Sequence, residues 1–314
     1  MDISEFKSEE EYISQAGTGA LLNPRVDSTF KALFTQGTEE SKAALHSFLE
    51  AVTERKIRSF ELRANDAPAA FGGQRGVSYD ILCEFDDGTA ADIEMQAFNQ
   101  KYDYGKRAEY QVARLETTYL KKGDDWEKAP VVYQVTVLDF RYGNEEPGSS
   151  DSAAKAPVSR YAMRTKDGRE LSNSLNIIFI ELPKVLELED SIETNSSLEN
   201  WAIFLKEADN PKKKDVIEKL TKKEAGLMQA QRSLSSISAD RDLWIAQYRQ
   251  ELFERAMRSG LSAARREGIR EGKLAGIREG KLETAKKLLG MGLSVRQVAE
   301  GVELPIAEIE KLRP

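Results

Sequence analysis

The chain has almost no residues suited to thiol or imidazole chemistry, since Cys83 is its only cysteine and His46 its only histidine. A single cysteine excludes a disulfide within the chain and a zinc site built from several cysteines. Any mechanism with a histidine base would have to use His46, which lies in a helical pattern where a core or surface position is expected. Thiol and histidine mechanisms are therefore poor candidates.

Long apolar runs and a surplus of basic residues are also missing. No run reaches the length of a transmembrane span and no signal peptide is visible, so we expect a soluble, cytoplasmic chain without a membrane partner. With 46 Lys and Arg against 53 Asp and Glu, the net charge is −7, and no overall basic field points to nucleic acid. The 314 residues permit two or three modules.

Residues 77–98 alternate apolar and polar side chains, which predicts a β-hairpin. A two-residue turn at Asp87 and Gly88 would place an acid on the apolar side. A three-residue loop over residues 86–88, with Gly88 left-handed in a bulge, instead pairs Asp80 with Glu94. We adopt this register because a slip by one residue exchanges the two faces. It is the register that keeps together Tyr79, Ile81, Cys83, Phe85, Ile93 and Met95.

The chosen register gathers four polar side chains on the other face of the hairpin: Asp80, Asp92, Glu94 and Gln96. Directly opposed like charges destabilise a sheet, so water, a basic neighbour or a bound cation must offset them. Two carboxylates and a carbonyl oxygen suit a hard divalent metal such as magnesium. The alternative is a hairpin face that is merely solvated, and the pattern leaves both open.

Two helical features could belong to the same site. Asp27 opens a predicted helix, where it is either an N-cap or a third acidic group that leans towards the hairpin, with Lys31 one turn on. After the hairpin, residues 102–121 predict a strong helix. Its stripe of Arg107, Gln111 and Arg114 either contacts phosphates or forms a solvated face.

Composition divides the chain into four parts. Residues 1–22 are a polar N-terminal segment, and residues 23–185 form an α/β core. Residues 186–282 are a helical extension, in which one helix, or a slightly broken one, is predicted over residues 240–289, roughly 70 Å long. Residues 283–314 predict a small helix-turn-helix-like unit with a core of Leu288, Leu289, Val295, Val298, Ala299, Ile306 and Ile309.

Four glycines recur every fourth residue within the long helix: Gly268, Gly272, Gly276 and Gly280. Each costs about 0.8–1.0 kcal/mol relative to alanine in a helix, so their stripe indicates close approach by another helix and hence self-association. The alternative is a flexible, partly frayed tether. We favour docking or oligomerisation over DNA-groove binding for the terminal unit, since its last helix carries Glu308 and Glu310.

The order of helix, three strands, helix and strand, with acids on the second and third strands, resembles the core of PD-(D/E)XK nucleases. The sequence is most similar to one branch, the recombination-promoting nuclease family of transposase-like proteins. The similar stretches are DSTFKALF, YDILCEFDDGTAADIEMQ, YDYGKRAEYQVARLETTYL and VVYQVTVLDF within residues 23–140, together with residues 265–312. The resemblance implies an α/β fold, a restriction-endonuclease-like αβββαβ core with a long helical C-terminal extension.

The resemblance also assigns roles to the hairpin acids. Asp80 and Glu94 would bind magnesium, or manganese in its place, with the Met95 carbonyl as a further ligand. Gln96 stands where the wider superfamily has lysine, and the branch itself often has glutamine there. A glutamine can orient the attacking water but brings no positive charge, so the metal must supply most of the charge neutralisation.

Asp27 matches the acid of the branch's first-helix motif and joins the catalytic set by resemblance. Lys31, Lys106 and Arg107 are candidates to assist. The implied activity is a magnesium-dependent DNA endonuclease associated with recombination, mobile elements or phage defence, assembled as a homo-oligomer through the C-terminal helices. The alternatives are a nuclease-derived scaffold that binds DNA or self-assembles without cleavage, and an RNA nuclease.

Overall fold

The computed structural model describes residues 8–67, 75–98, 103–120, 122–143 and 156–312. The chain splits into two compact units, Met1–Glu251 and Leu252–Pro314. None of the described helices combines the length and the apolar character that crossing a bilayer requires.

The first unit contains helices and strands in alternation. In chain order they are α1 (Glu9–Ile13), α2 (Asp27–Thr35), α3 (Glu39–Thr53), β1 (Phe60–Leu62), β2 (Asp66–Ala67), β3 (Val77–Ser78), β4 (Ile81–Phe85), β5 (Ala90–Gln96), α4 (Tyr104–Tyr119), β6 (Val132–Leu138), β7 (Val158–Ala162), β8 (Leu175–Glu181), α5 (Ser197–Glu207), α6 (Lys214–Lys223), α7 (Ala225–Ile237) and the first turns of α8 (Arg241–Gly290). Short 3₁₀ helices lie at Trp126–Lys128, Leu182–Ser191 and Pro211–Lys213.

Six strands form the main sheet in the order β1-β4-β5-β6-β8-β7. The pairs β1–β4, β4–β5 and β7–β8 are antiparallel, whereas β5–β6 and β6–β8 are parallel. Strands β2 and β3 pair separately. The succession of helix, β1, β4, β5, α4 and β6 confirms the predicted restriction-endonuclease-like α/β core, and the helices after β8 confirm its helical extension.

The two faces of the sheet are covered by different helices, because β4 and β5 alternate their side chains. Ile81, Cys83 and Ile93 face one large core that includes the apolar sides of α2, α3, α5 and α7. Leu82 and Ala90 face a smaller core formed with Val112 and Leu115 of α4. The polar residues of β5 that lie on the same face of the strand as Ala90 are therefore covered by α4.

The hairpin has the predicted register. Ile81 pairs with Ile93 and Leu82 with Asp92, as predicted, and Asp80 lies one residue before the first pair of this ladder. Gly88 has a φ of +82° and donates its backbone N–H to the Phe85 carbonyl, which confirms the left-handed turn residue.

One predicted member of the apolar set was wrong. Tyr79 packs in the smaller core with Leu82 instead of with Ile81 and Cys83. The strand is interrupted between Ser78 and Ile81, and this bend breaks the alternation that the prediction assumed.

The second unit contains the rest of α8, followed by α9 (Val295–Val302) and α10 (Ile306–Glu310). The long helix is confirmed as one continuous element. Ser294 caps α9 by accepting a hydrogen bond from the Gln297 backbone, and the Gln297 side chain bonds back to the Ser294 N–H. The small core contains every predicted residue except Ile306, which is 49% exposed. It also contains Ala285 and Val302, with Leu304 and Leu312 packed against it. Ile306 opens α10, and Ile309, one turn later, is the residue that faces the core.

Candidate active site

Asp80 immediately precedes β4, and Glu94 is the β5 residue that follows Ile93, the last partner in the β4–β5 ladder. Burial raises the pKa of Asp80, and the negative charge of Asp27 raises it further, against the opposing effect of Lys31. Burial raises the pKa of Glu94, and the negative charge of Asp80 raises it further against the opposing effect of Arg107. The two acids are therefore close enough to repel each other when both are ionised.

The Glu94 carboxylate is only 1% exposed and is surrounded by donors from α4. The Tyr104 hydroxyl donates to Oε2 at 2.9 Å, and the Arg107 guanidinium donates to the same oxygen at 3.3 Å. The Gln111 amide donates to Oε1. Arg107 and Gln111 both contact Glu94, so the alternative that these two residues form a solvated face is wrong.

A second group of charges surrounds Asp80. The Lys31 ammonium lies 2.9 Å from Asp27 Oδ2 and 2.9 Å from Asp80 Oδ1, so it bridges α2 and the hairpin. Partial burial lowers the pKa of Lys31, but the hydrogen bonds to Asp27 and Asp80 raise it by more. The N-cap of α2 is Val26, so the N-cap alternative for Asp27 is wrong. Its carboxylate bonds to Lys31 of the same helix, and Lys31 in turn contacts Asp80.

Asp92 is fully buried and faces Gln134, its partner on β6. Neither oxygen of the Asp92 carboxylate forms a hydrogen bond of normal geometry with a described residue, and the same holds for the Gln134 amide. Burial first, and then the charge of Glu94, raise the pKa of Asp92 well above its usual range. The solvated-face alternative for the hairpin is therefore wrong at Asp92 and Glu94.

Met95 and Gln96 complete the predicted set. Met95 is 3% exposed and packs with its side chain in the large core. Gln96 ends β5 in a half-buried position, and its backbone carbonyl accepts from the Asp139 N–H at 2.9 Å. The Gln96 side chain forms no hydrogen bond with any described residue, and its role towards water stays a prediction.

Two residues of the site were missed by sequence reasoning. Tyr104 precedes Arg107 by three residues and Gln111 by seven, so extending the polar stripe of α4 by one turn would have found it. Gln134 lies on a strand predicted to be buried, and nothing in its own sequence surroundings singles it out. It reaches the site only through the parallel pairing of β5 with β6.

The donor set fits a hard divalent cation. Asp80 and Glu94 supply carboxylate oxygens, which magnesium prefers, and burial together with a neighbouring acid raises the pKa of both. Within the described ranges, no three His, Cys, Asp or Glu side chains converge as a metal-binding group. A cation would therefore depend on two side chains. The Cys83 thiol is buried with a raised pKa, and His46 bonds to the Ile57 carbonyl at 2.8 Å.

Comparison with known proteins gave one result. A family model described as PD-(D/E)XK nuclease family transposase matches residues 24–263. A search of curated proteins found no match, and a search of solved structures found none either. The matched range contains the hairpin, α2 and α4, and therefore every predicted site residue.

Proposed function

The chain belongs to the PD-(D/E)XK nuclease family transposases, and on this basis we propose that it is a magnesium-dependent endonuclease that hydrolyses phosphodiester bonds in DNA. Family membership makes it a nuclease related to transposition or recombination. The observation that carries the finer proposal is that Asp80 and Glu94 lie close enough for the charge of one to act on the other, with Lys31 beside one acid and Arg107 beside the other.

In this proposal the two hairpin acids hold the cation, with the Met95 carbonyl as a third oxygen ligand. When bound, the cation supplies Lewis-acid stabilisation of charge on the phosphate oxygens. Gln96 orients the attacking water, since an amide can both donate to and accept from it but carries no charge. Arg107 offers its guanidinium to the phosphate, a group that it can contact through two N–H donors.

Lys31 has a distinct part in the proposal. Its bonds to Asp27 and Asp80 raise its pKa, so it stays charged at neutral pH and cannot serve as a base. It therefore supplies a fixed positive charge beside Asp80. Asp27 acts through Lys31 and is a positioning residue, since its contact is with the lysine.

Cleavage of supercoiled plasmid DNA by the full chain tests the proposal. We expect nicking or cutting with Mg²⁺ or Mn²⁺ and none with EDTA. Asp80→Asn and Glu94→Gln should each lower the rate by roughly 100-fold or more, because each removes an anionic ligand of the cation that would stabilise the transition state. Calorimetric titration with Mg²⁺ should show binding to the parent and weakened binding to both variants.

The same hairpin offers matched controls. Asp86→Asn changes an exposed acid in the turn, and Glu84→Gln changes a half-buried acid on β4 that pairs with Arg63. Both should cut like the parent. If Asp80→Asn and Glu94→Gln also cut like the parent, the site assignment is wrong. If the parent binds DNA but neither binds Mg²⁺ nor cuts, the chain is a DNA-binding scaffold instead.

We further propose that the C-terminal helices assemble the chain into a homo-oligomer, so that two sites can address two strands. The support is the run of exposed apolar side chains on the repeat part of α8, where Ile269, Leu274 and Ile277 are 61%, 60% and 49% exposed. The four-residue glycine stripe lies in the same stretch.

A further inference from the structure

A cavity of about 750 Å³ opens beside the acidic site, between α4 and the backbone that leads into β3. Its volume falls in the range of sites that bury a small organic ligand. Its walls include side chains from both segments: Arg75, Ser78, Lys106, Arg107, Tyr110 and Gln111.

The cavity shares two wall residues with the acidic site. Arg107 and Gln111 line it, and both also donate hydrogen bonds to the Glu94 carboxylate. A ligand in the cavity would therefore lie one side chain away from the proposed cation ligands. This places it next to the phosphate that the proposed function would cut.

The charge of the cavity favours an anion. Arg75 and Lys106 are exposed, and neither forms an ion pair with another residue in the described part of the chain. Among the described wall residues the one acid is Asp103, whose Oδ1 accepts hydrogen bonds from the Gly105 N–H at 3.1 Å and from the Tyr142 hydroxyl at 3.4 Å. On a chain of net charge −7, this is a local basic site beside the acids.

Tyr110 gives the cavity an aromatic wall. The residue is 37% exposed, and its hydroxyl donates to the Arg75 carbonyl at 2.8 Å, which fixes the ring relative to the other wall. Stacking on an aromatic side chain strengthens the binding of a nucleic-acid base by about tenfold or more. A base inside a duplex already stacks on its neighbours and does not offer its face, so only an unpaired base can use this ring.

We propose that this cavity binds one unpaired nucleotide of DNA that adjoins the cut phosphate, with Arg75 and Lys106 on its phosphate and Tyr110 on its base. This inference rests on the proposed nuclease function. It gives the substrate class as DNA with a single-stranded stretch, such as a flap, a gap or a displaced strand. Fully paired duplex lacks the unpaired nucleotide and is the poorer substrate.

Two measurements on the full chain test it. Fluorescence anisotropy in EDTA compares binding of one labelled sequence as a single strand and as a duplex. Cleavage with Mg²⁺ then compares kcat/KM for the same two substrates and for a duplex that carries a single-stranded gap. We expect the single strand to bind about tenfold more tightly than the duplex, and the single strand and the gapped duplex to be cut about tenfold faster.

Two variants of Tyr110 distinguish the loss of base stacking from the loss of the hydrogen bond to Arg75. Tyr110→Leu should lose about tenfold in single-strand binding and leave duplex binding unchanged, whereas Tyr110→Phe, which keeps the ring but loses the bond to Arg75, should bind nearly like the parent. Tyr161→Leu, at a tyrosine that is 46% exposed on β7, is the matched control and should have no effect.

The outcomes distinguish this inference from the nuclease proposal. Mg²⁺-dependent cleavage that favours duplex, or that is indifferent to Tyr110→Leu, overturns the nucleotide site and leaves the nuclease proposal intact. Absence of all cleavage overturns the nuclease proposal, and the anisotropy series still decides whether the cavity binds an unpaired base. Equal binding of single strand by the parent and Tyr110→Leu contradicts the inference in either case.

Discussion

Asp92 is a wholly buried carboxyl without a hydrogen bond of normal geometry to any described residue. Because burial and the charge of Glu94 raise the pKa of Asp92, this carboxyl holds its proton more tightly in the folded chain than in the unfolded chain. The free energy of unfolding must therefore fall as the pH rises from the unfolded pKa through the folded one. We expect Asp92→Asn, measured by urea unfolding in EDTA, to be more stable than the parent at pH 8 by about 1–3 kcal/mol.

The pH series supplies the control for this prediction. At pH 4 the parent carboxyl is protonated in the folded chain, so the advantage of Asp92→Asn should shrink towards zero. Asp125→Asn makes the same substitution at a side chain that is 81% exposed, and it should change stability little at either pH. A gain for Asp92→Asn that is equal at pH 4 and pH 8 would mean that burial of the charge is not its cause.

Which hairpin side chains lie near one another was largely predictable from the sequence, and their surroundings were not. Period-two alternation and the length of the turn predicted that Asp80 and Glu94 would be opposite each other, because both features are local. The surroundings of Asp92 include Gln134, which belongs to a strand far along the chain. Tyr79 was misplaced because the bend before β4 arises from how the strand meets its neighbours, and alternation alone carries no sign of it.

The β4–β5 hairpin depends on one backbone conformation. Gly88 has a φ of +82°, and a Cβ added there would meet no atom within 4 Å, so a larger residue is disfavoured by its backbone alone. We expect Gly88→Ala to lower the free energy of unfolding by about 1–2 kcal/mol, the usual cost of the left-handed region for a residue with a Cβ. Gly88→Asn should lose less, since asparagine tolerates this region. Urea unfolding of both variants measures the effect.

Cleavage by the same variants tests whether the register survives. The ladder is fixed along its length by the burial of one apolar face, so the folded Gly88→Ala protein should keep Asp80 opposite Glu94 and retain Mg²⁺-dependent activity. If it stays as stable as the parent, the turn does not constrain the hairpin. If it folds but loses Mg²⁺ binding, the turn rather than the apolar face sets the register.

Helices and strands with strong internal patterns were predicted well, and their first residues were not. The long helix was expected over residues 240–289 and is found at Arg241–Gly290, because its composition favours helix throughout. Pro305 is the N-cap of α10, and Ile306, expected in the core, is the first residue of the helix and is 49% exposed.

For the molecule as a whole, net charge was a poor guide to its charged surfaces. A value of −7 argues against nucleic acid, yet Arg75, Lys106 and Arg107 line one cavity. Two of these residues are neighbours on α4, and the third comes from before β3, so only the fold brings them together. The match to a nuclease family and the basic cavity both favour a nucleic-acid ligand, whereas the net charge does not.

Self-association is the property of the whole molecule that the glycine stripe of α8 predicts. Gly268, Gly272, Gly276 and Gly280 are all exposed, and a Cβ added at any of them meets no atom within 4 Å. Alanine at all four positions should therefore stabilise the isolated helix, by about 0.8–1.0 kcal/mol at each site. If a second copy packs closely on the stripe, the added methyl groups separate the two helices, and association should weaken by about tenfold or more, equivalent to about 1.4 kcal/mol.

The two effects have opposite signs, so the quadruple alanine variant distinguishes an interface from a tether. Sedimentation equilibrium of the full chain measures association, and thermal melting followed by circular dichroism measures helix stability. We expect the parent to be oligomeric and the variant to melt higher but dissociate at higher protein concentration. Ser262→Ala, which improves helix propensity away from the stripe, should raise melting without changing association. A variant that melts higher and keeps the parent's mass, or a parent that is monomeric throughout, would identify the glycine repeat as a tether.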